Sequence, residues 1–311
     1  MNNIDIFEYF PRDICFELSK KINLDNYYML EEIRIRVNKP IILKFNKIDV
    51  IIKYLVTQEQ VLEIMQYICD NSIYSYQNQI CNGFITLKRG HRVGITGNVV
   101  IENIQVKNIN YIYSLNFRIA KQVIGAADNI IKHIINHKNN DIFNTLIISP
   151  PGSGKTTVLR DLIRQLSNGI EEINFNGKTI GLVDERAEIA AMYKGIIQND
   201  IGLRTDVLSN IPKSIGMKML IRSMAPNIIC ADEIGSIEDV EAIEYAVCCG
   251  VKGIFTAHGE SIEDLNLNTS LNSLLERNII NKLIFLDQIN KGKIKNIYSV
   301  EKGEIVQVNL K

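Results

Sequence analysis

The stretch LIISPPGSGKTTVLRDLI, residues 146 to 163, constrains this chain more than any other. An apolar run precedes a loop containing Gly152 and Gly154; Lys155 and Thr156 follow, then Val158, Leu159, Leu162, Ile163 and Leu166 at helical spacing. That order reads as strand, loop and helix. Such a loop leads successive backbone N–H groups to a helix N-terminus, where unpaired donors and the helix dipole favour an anion. The pattern is G-x-x-x-x-G-K-[ST] with one departure, Ser149 in place of the first glycine. Pro150 restricts Ser149 to extended conformations, so no positive φ is needed there and serine is acceptable. Pro151, Gly152, Ser153, Gly154, Lys155, Thr156 and Thr157 are therefore expected to surround the phosphates of ATP. Lys155 would reach the β- and γ-phosphates, and the Thr156 hydroxyl would hold Mg²⁺.

Three more apolar runs end in polar groups. TIGLVD leads into Asp184, Glu185, Arg186 and Glu188, NIICAD into Asp232 and Glu233, and GIFTAH into His258. From Asn144 onward, apolar runs alternating with helical patterns predict βαβ units and a mostly parallel sheet. Ligands of open parallel sheets bind at the carboxyl ends of the strands, where these polar groups gather. Asp232 is placed to hold Mg²⁺ with Thr156, and Glu233 to polarise an attacking water. The alternative for the Asp184–Glu188 group is a charged helix start whose acids favour the N-terminal dipole. His258 reads as a γ-phosphate sensor or as a structural histidine.

Residues 1–125 read as a smaller α+β N-terminal domain and 126–311 as the core domain. EEIRIRV and PIILKF are short strands joined by a turn at Asn38 to Pro40. Thr57 and Gln60 form a capping box before Val61, Ile64, Met65 and Ile68. GFITLKRGHRVGITGNVVI is expected to break into hairpins at Gly90, Gly94 and Gly97, with LKRGHRVG a charged hairpin or else a contact for phosphate or RNA. SLNFRIA is a further strand. After Gly125 a helix carries Ile130, Ile131, Ile134 and Ile135. The tail KLIFLDQINKGKIKNIYSVEKGEIVQV, with turns at Lys291-Gly292 and Lys302-Gly303, reads as a small meander covering the sheet edge.

Lys plus Arg and Asp plus Glu each number 35, so no global charge draws the chain to nucleic acid or anionic lipid. The six cysteines lack C-x-x-C spacing and read as reduced, mostly buried thiols. Cys248-Cys249 is expected to pack at the end of the helix after Ser236. His133 and His137 lack the glutamate of H-E-x-x-H and read as a solvated helix face. No basic leader opens the sequence, and no apolar stretch approaches the roughly 20 residues of a membrane-spanning helix.

A phosphate loop, an acid-ended strand, Asp-Glu and a histidine-ended strand, in that order, resemble the secretion ATPase superfamily of type II and type IV secretion and pilus motors. Their Walker A, Asp box, Walker B and His box map onto Ser149–Thr156, Asp184–Glu188, Asp232–Glu233 and His258. GLVDERAEIA, YKG, QNDIGLRTDVL, GMKMLIRSMAPNIICADEIG, EDVEAIEYAVCCGV and TAHG are similar to the stage III sporulation protein AA family of endospore-forming bacteria. EEIRIRVNKP, GFITLKRGHRVGITG and LNFRIA extend that similarity over most of the chain.

The resemblance implies an α/β fold with a RecA-like P-loop NTPase core. It implies a Mg²⁺-dependent, ATP-hydrolysing motor of the mother-cell cytoplasm, working as a homo-oligomeric, hexameric ring. That ring would dock on membrane proteins of a sporulation channel between mother cell and forespore; no nucleic-acid partner is expected. Glu185, Glu233 and His258 would be catalytic. An arginine of the first domain would close over the nucleotide, because a guanidinium fork spans two phosphate oxygens. LNFRIA makes Arg118 the first choice and GHRVG makes Arg92 the second, with Arg186, Arg204 and Arg222 as cations of the core. Arg118 reads otherwise as a surface strand residue beside an acid. Ser149 and Asn227, the latter where these motors often carry aspartate, depart from the pattern without removing a group from the chemistry. Two other functions fit a phosphate loop: a nucleotide-gated scaffold with negligible turnover, and a RecA-like nucleic-acid motor. Glu233 argues against the first, and balanced charge without a long basic stripe against the second.

Overall fold

The computed structural model describes residues 4–46, 48–301 and 304–308. The chain forms two compact units, Met1–Lys121 with Tyr193–Gln198, and Gln122–Met192 with Asn199–Lys311.

The first unit is a six-stranded sheet in the order β3-β2-β1-β6-β5-β4, with every pairing antiparallel. Its strands are β1 (Leu30–Arg36), β2 (Pro40–Phe45), β3 (Ile48–Leu55), β4 (Phe84–Thr86), β5 (Arg92–Glu102) and β6 (Gln105–Arg118). Alternation decides the buried face: Ile33 and Ile35 of β1 and Ile41 and Leu43 of β2 are fully buried. They pack with helices α1 (Arg12–Ser19) and α2 (Gln58–Ile68) into one core. In α2 the expected stripe of Val61, Ile64, Met65 and Ile68 is buried, and the Thr57–Gln60 capping box is formed in both directions. The hairpin expectation fails at two glycines. Gly90 turns the chain at φ +75°, but Gly94 and Gly97 lie inside the continuous strand β5. Gly97 sits at a bulge where a Cβ would come within 2.6 Å of the Asn110 carbonyl oxygen, so the site needs glycine for close approach. Strand β6 begins nine residues before the segment SLNFRIA suggests, as the return arm of that hairpin.

A polar hub holds the start of this unit. The Asp5 carboxylate accepts from Tyr27 Oη at 2.7 Å, Arg89 Nε at 3.1 Å and His91 Nε2 at 3.3 Å. His91 Nδ1 accepts from the Ala120 N–H at 3.0 Å, so the imidazole proton lies on Nε2 and points to Asp5. Burial alone would raise the Asp5 carboxyl, but His91, Tyr27 and Arg89 outweigh it and hold it well below the usual carboxylate range. Lys88 pairs with Glu8 as Arg89 pairs with Asp5, so the basic LKRGHRVG segment is a neutralised turn.

The second unit is α/β with a mixed eight-stranded sheet, ordered β9-β8-β10-β11-β7-β12-β13-β14. The strands are β7 (Thr145–Ile148), β8 (Ile180–Asp184), β9 (Thr205–Ser209), β10 (Ile228–Ala231), β11 (Lys252–Ala257), β12 (Lys282–Leu286), β13 (Ile294–Glu301) and β14 (Glu304–Gln307). From β9 to β12 every pairing is parallel; β13 and β14 add antiparallel. Its helices include α3 (Asp128–Ile134), α4 (Lys155–Asn168), α5 (Lys213–Met224), α6 (Ile237–Cys248) and α7 (Thr269–Glu276). Strands β7, β8 and β10 are buried along their whole length because helices cover both faces, which is why they read as unbroken apolar runs. On α4, Val158, Leu159, Leu162, Ile163 and Leu166 are all buried.

Four expectations are corrected here. The tail is more than a cover for the sheet edge: β12 is the parallel neighbour of β7, pairing Lys282 with Thr145. Its Lys291-Gly292 turn is present, whereas Lys302-Gly303 lies outside the described residues. His133 and His137 do not share a helix face, since α3 ends at Ile134. Cys248 and Cys249 are exposed rather than packed, and only Cys69 and Cys230 of the six cysteines are buried.

Candidate functional site

Four strand ends of the second unit converge on the loop after β7. Gly152 has φ +78° and Gly154 φ +94°, the left-handed backbone that glycine adopts without penalty, while Ser149 stays out of that region. The serine substitution therefore leaves the loop intact. Ser153 Oγ is buried with no hydrogen-bond partner, an uncommon state that an anion's oxygen would relieve. The turn between β12 and β13 rests on the loop, with the Gly292 N–H donating to the Ser153 carbonyl at 2.9 Å. A Cβ on Gly154 would meet Gly292 N at 3.3 Å.

Lys155 opens α4 and is buried. Its ammonium donates to the Ser149 carbonyl at 2.7 Å, the Pro150 carbonyl at 3.2 Å and His258 Nδ1 at 3.2 Å. Burial lowers its pKa, with Asp232 and Glu233 opposing. Since an ammonium only donates, His258 Nδ1 accepts and its proton sits on Nε2, which faces Glu233 Oε1 at 3.2 Å. Arg186 Nη1 lies 2.6 Å from Glu233 Oε2, so Glu233 is held from two sides. Glu233 itself has φ +54°, a strained conformation for a non-glycine residue that costs about 1–3 kcal/mol. Thr156 Oγ1 donates to Asp232 Oδ2 at 2.6 Å.

The Asp184–Glu188 segment lies beside this cluster because β8 and β10 are adjacent and in register, Val183 opposite Ala231. Asp184, Glu185, Arg186, Glu188, Lys213, Asp232 and Glu233 line one small cavity of about 50 Å³. Their duties differ. Asp184 is buried and accepts the N–H groups of Glu188 (2.9 Å), Ile189 (3.1 Å) and Ala190 (2.9 Å), so it organises the following turn. Burial nevertheless raises its pKa. Arg160 of α4 braces the same turn through the carbonyls of Ile189 (2.9 Å) and Glu188 (2.6 Å). Glu185 pairs with Lys213 at 2.5 Å, at the start of α5.

Of the residues singled out from sequence, the second unit thus gathers the loop Pro151–Thr157, Asp232, Glu233, Glu185 and His258. Arg118 belongs to the first unit, as the exposed last residue of β6 in register with Glu32 of β1 and Arg92 of β5. Arg92 stacks on Phe84, 4.3 Å from the ring centroid. Thr256 was not singled out, yet it touches both Asp232 and the Glu233 backbone. One polar side chain inside the apolar run GIFTA was the signal, because a buried hydroxyl needs partners.

The family model described as "Sporulation stage III, protein AA" matches residues 14–306. The chain belongs to the sporulation stage III protein AA family. Stage III sporulation protein AA of Bacillus subtilis (strain 168) is 39% identical over 295 residues, covering 94% of each chain. Among solved structures, the ATPase DotB of Legionella pneumophila superposes with a TM-score of 0.55 at 17% identity, over 82% of this chain and 72% of that one. The pilus retraction motor PilT, solved with bound ADP, gives a TM-score of 0.54 at 15% identity, over 86% and 76%. Those two likenesses are of fold alone: the chain is built like DotB and PilT. Among the described residues no helix is long and apolar enough to cross a membrane.

Proposed function

We propose that this protein is a Mg²⁺-dependent ATPase that drives a sporulation-specific export or channel apparatus. The observation that carries the reading is the convergence, at one end of the parallel strands, of a glycine-turned loop ending in Lys155-Thr156 with the pair Asp232-Glu233. Residues 126–311 would then be a RecA-like P-loop ATPase domain, and residues 1–125 an accessory domain. Ser153 Oγ, the loop amides and Lys155 would receive phosphate oxygens. Thr156 Oγ1 and Asp232 Oδ2, already 2.6 Å apart, form the hard-oxygen pair that suits Mg²⁺. When bound, Mg²⁺ neutralises charge developing on the phosphates.

Glu233 is suited to orient water as general base. His258, linking Lys155 to Glu233, would report phosphate contact to the base. Glu185 would act on the same cavity through its pair with Lys213. Arg118 would supply an arginine finger. The ring, hexameric order, membrane-bound partners and mother-cell cytoplasmic location belong to the same proposal; they rest on family membership and on the motor-like fold.

A second reading, a scaffold that binds ATP and barely turns it over, draws on the double clamp of Glu233 by Arg186 and His258. Phosphate release by purified protein, measured against protein concentration together with particle mass with and without ATP, separates the two. Turnover that rises with assembly supports the motor. ATP-dependent assembly without phosphate release supports the scaffold, and absence of ATP binding removes both.

A further inference from the structure

We infer that Thr256 is the positioning residue that sets the two acids against each other; the inference rests on the nucleotide reading just proposed. Strand β11 lies between β7 and β10, and its last rung with β10 pairs Phe255 with Ala231. Just past that rung the ladder ends and the acids begin. Thr256, fully buried, continues the pairing with its side chain. Its hydroxyl donates to Asp232 Oδ1 and accepts the Glu233 N–H at 2.8 Å, while its carbonyl accepts the Ile234 N–H at 2.8 Å.

Three consecutive residues of the turn are thereby held by one. A hydroxyl has a single proton, and here that proton is committed to Asp232 because the amide can only donate. The arrangement fixes the direction of both hydrogen bonds. Asp232 is left with one oxygen on Thr256 and the other on Thr156, so its carboxylate plane is set by two hydroxyls from different elements. The Glu233 N–H bond holds a residue at φ +54° that would otherwise relax toward ordinary backbone and carry its carboxylate with it. Thr256 thus couples the metal-holding acid to the water-orienting one without touching the reacting atoms.

The test uses the full chain with Thr256→Val, which keeps the branched shape, and Thr256→Ser, which keeps the hydroxyl. ATP binding, phosphate release over a Mg²⁺ titration, and thermal unfolding are measured for each. Thr256→Val is expected to lower kcat about 10- to 100-fold, the worth of losing hydrogen bonds to a charged and a strained group. It should also raise the Mg²⁺ concentration needed for half-maximal rate while ATP affinity is retained, and Thr256→Ser should restore most of the rate. Unchanged turnover in Thr256→Val, or equal losses in both variants, would overturn the assignment. Should Thr256→Val unfold, Thr256→Cys, which differs from Thr256→Ser only in a weakly donating sulfur for the oxygen, carries the comparison against Thr256→Ser. Wild-type protein that binds no ATP defeats the nucleotide reading and this one together; active wild type matched by Thr256→Val defeats this one alone.

Discussion

Thr156 and Asp232 are joined by a 2.6 Å hydrogen bond, tying the first turn of α4 to the end of β10. Asp232→Asn keeps the shape but removes the charge that suits a divalent cation. Phosphate release and ATP affinity should both fall, and added Mg²⁺ should recover little of either. Isothermal titration with and without Mg²⁺ checks this; wild-type Mg²⁺ dependence in the variant would remove Asp232 from the metal site.

Lys155 and Glu233 should separate binding from turnover. Lys155→Ala removes the buried ammonium at the loop, so ATP affinity should drop about 10- to 100-fold, as for loss of a charge-assisted contact. Glu233→Gln should bind ATP normally and slow hydrolysis about 10²- to 10⁴-fold, the range for a general base. Equilibrium binding beside single-turnover phosphate release distinguishes the two patterns.

Arg118 stands next to Arg92 and Glu32 on neighbouring strands, so its guanidinium has a local acid as well as a proposed role at the nucleotide. A finger predicts that Arg118→Lys loses about 10³- to 10⁵-fold in turnover with binding largely kept. A surface pair with Glu32 predicts no loss. Steady-state rates at saturating ATP decide.

Asp5 provides a pH test of the first unit. Its carboxyl is depressed in the folded protein by His91, Tyr27 and Arg89 against the opposing effect of burial. A depressed acid stabilises the fold above its unfolded pKa, about 3.9, and that stability drains away as pH falls below it. Asp5→Asn should therefore cost about 1–3 kcal/mol at pH 7, and the gap to wild type should shrink below about pH 4. Urea midpoints at pH 7, 5 and 3.5 measure it; a gap that widens in acid would contradict the assignment.

Legibility followed burial and local geometry. Strands β8 and β10 are apolar throughout because both faces are covered, and the Thr57–Gln60 cap is written in two residues three apart. The loop was readable because left-handed turns select Gly152 and Gly154. Strand β9 escaped because its residues, Thr205–Ser209, are all only partly buried at the sheet edge and carry no apolar run. KLIFL looks the same whether it pairs parallel to β7 or joins a meander, since register is a long-range property. The left-handed backbone of Glu233 has no local signature either, because glutamate seldom adopts it. The hydroxyl that holds it lies 23 residues downstream. In the same way, Asp184 displays an acid at a strand end without revealing that backbone amides consume it.

Strand β7 is the first strand of the eight-stranded sheet to be synthesised, yet both its neighbours come late. The Asn144 side chain at its entrance accepts the N–H of Gly253, 109 residues on, and the Asn144 N–H donates to Asn281, 137 residues on. Emerging from the ribosome, β7 is an apolar segment with its hydrogen-bonding edges bare, and closing such distant pairings is slow. The nascent chain must be kept from aggregating until β11 and β12 arrive on either side of it. The loop hung from that strand, and seated by the Gly292 N–H on the Ser153 carbonyl, then takes its final form only once β12 and the turn after it have folded into place.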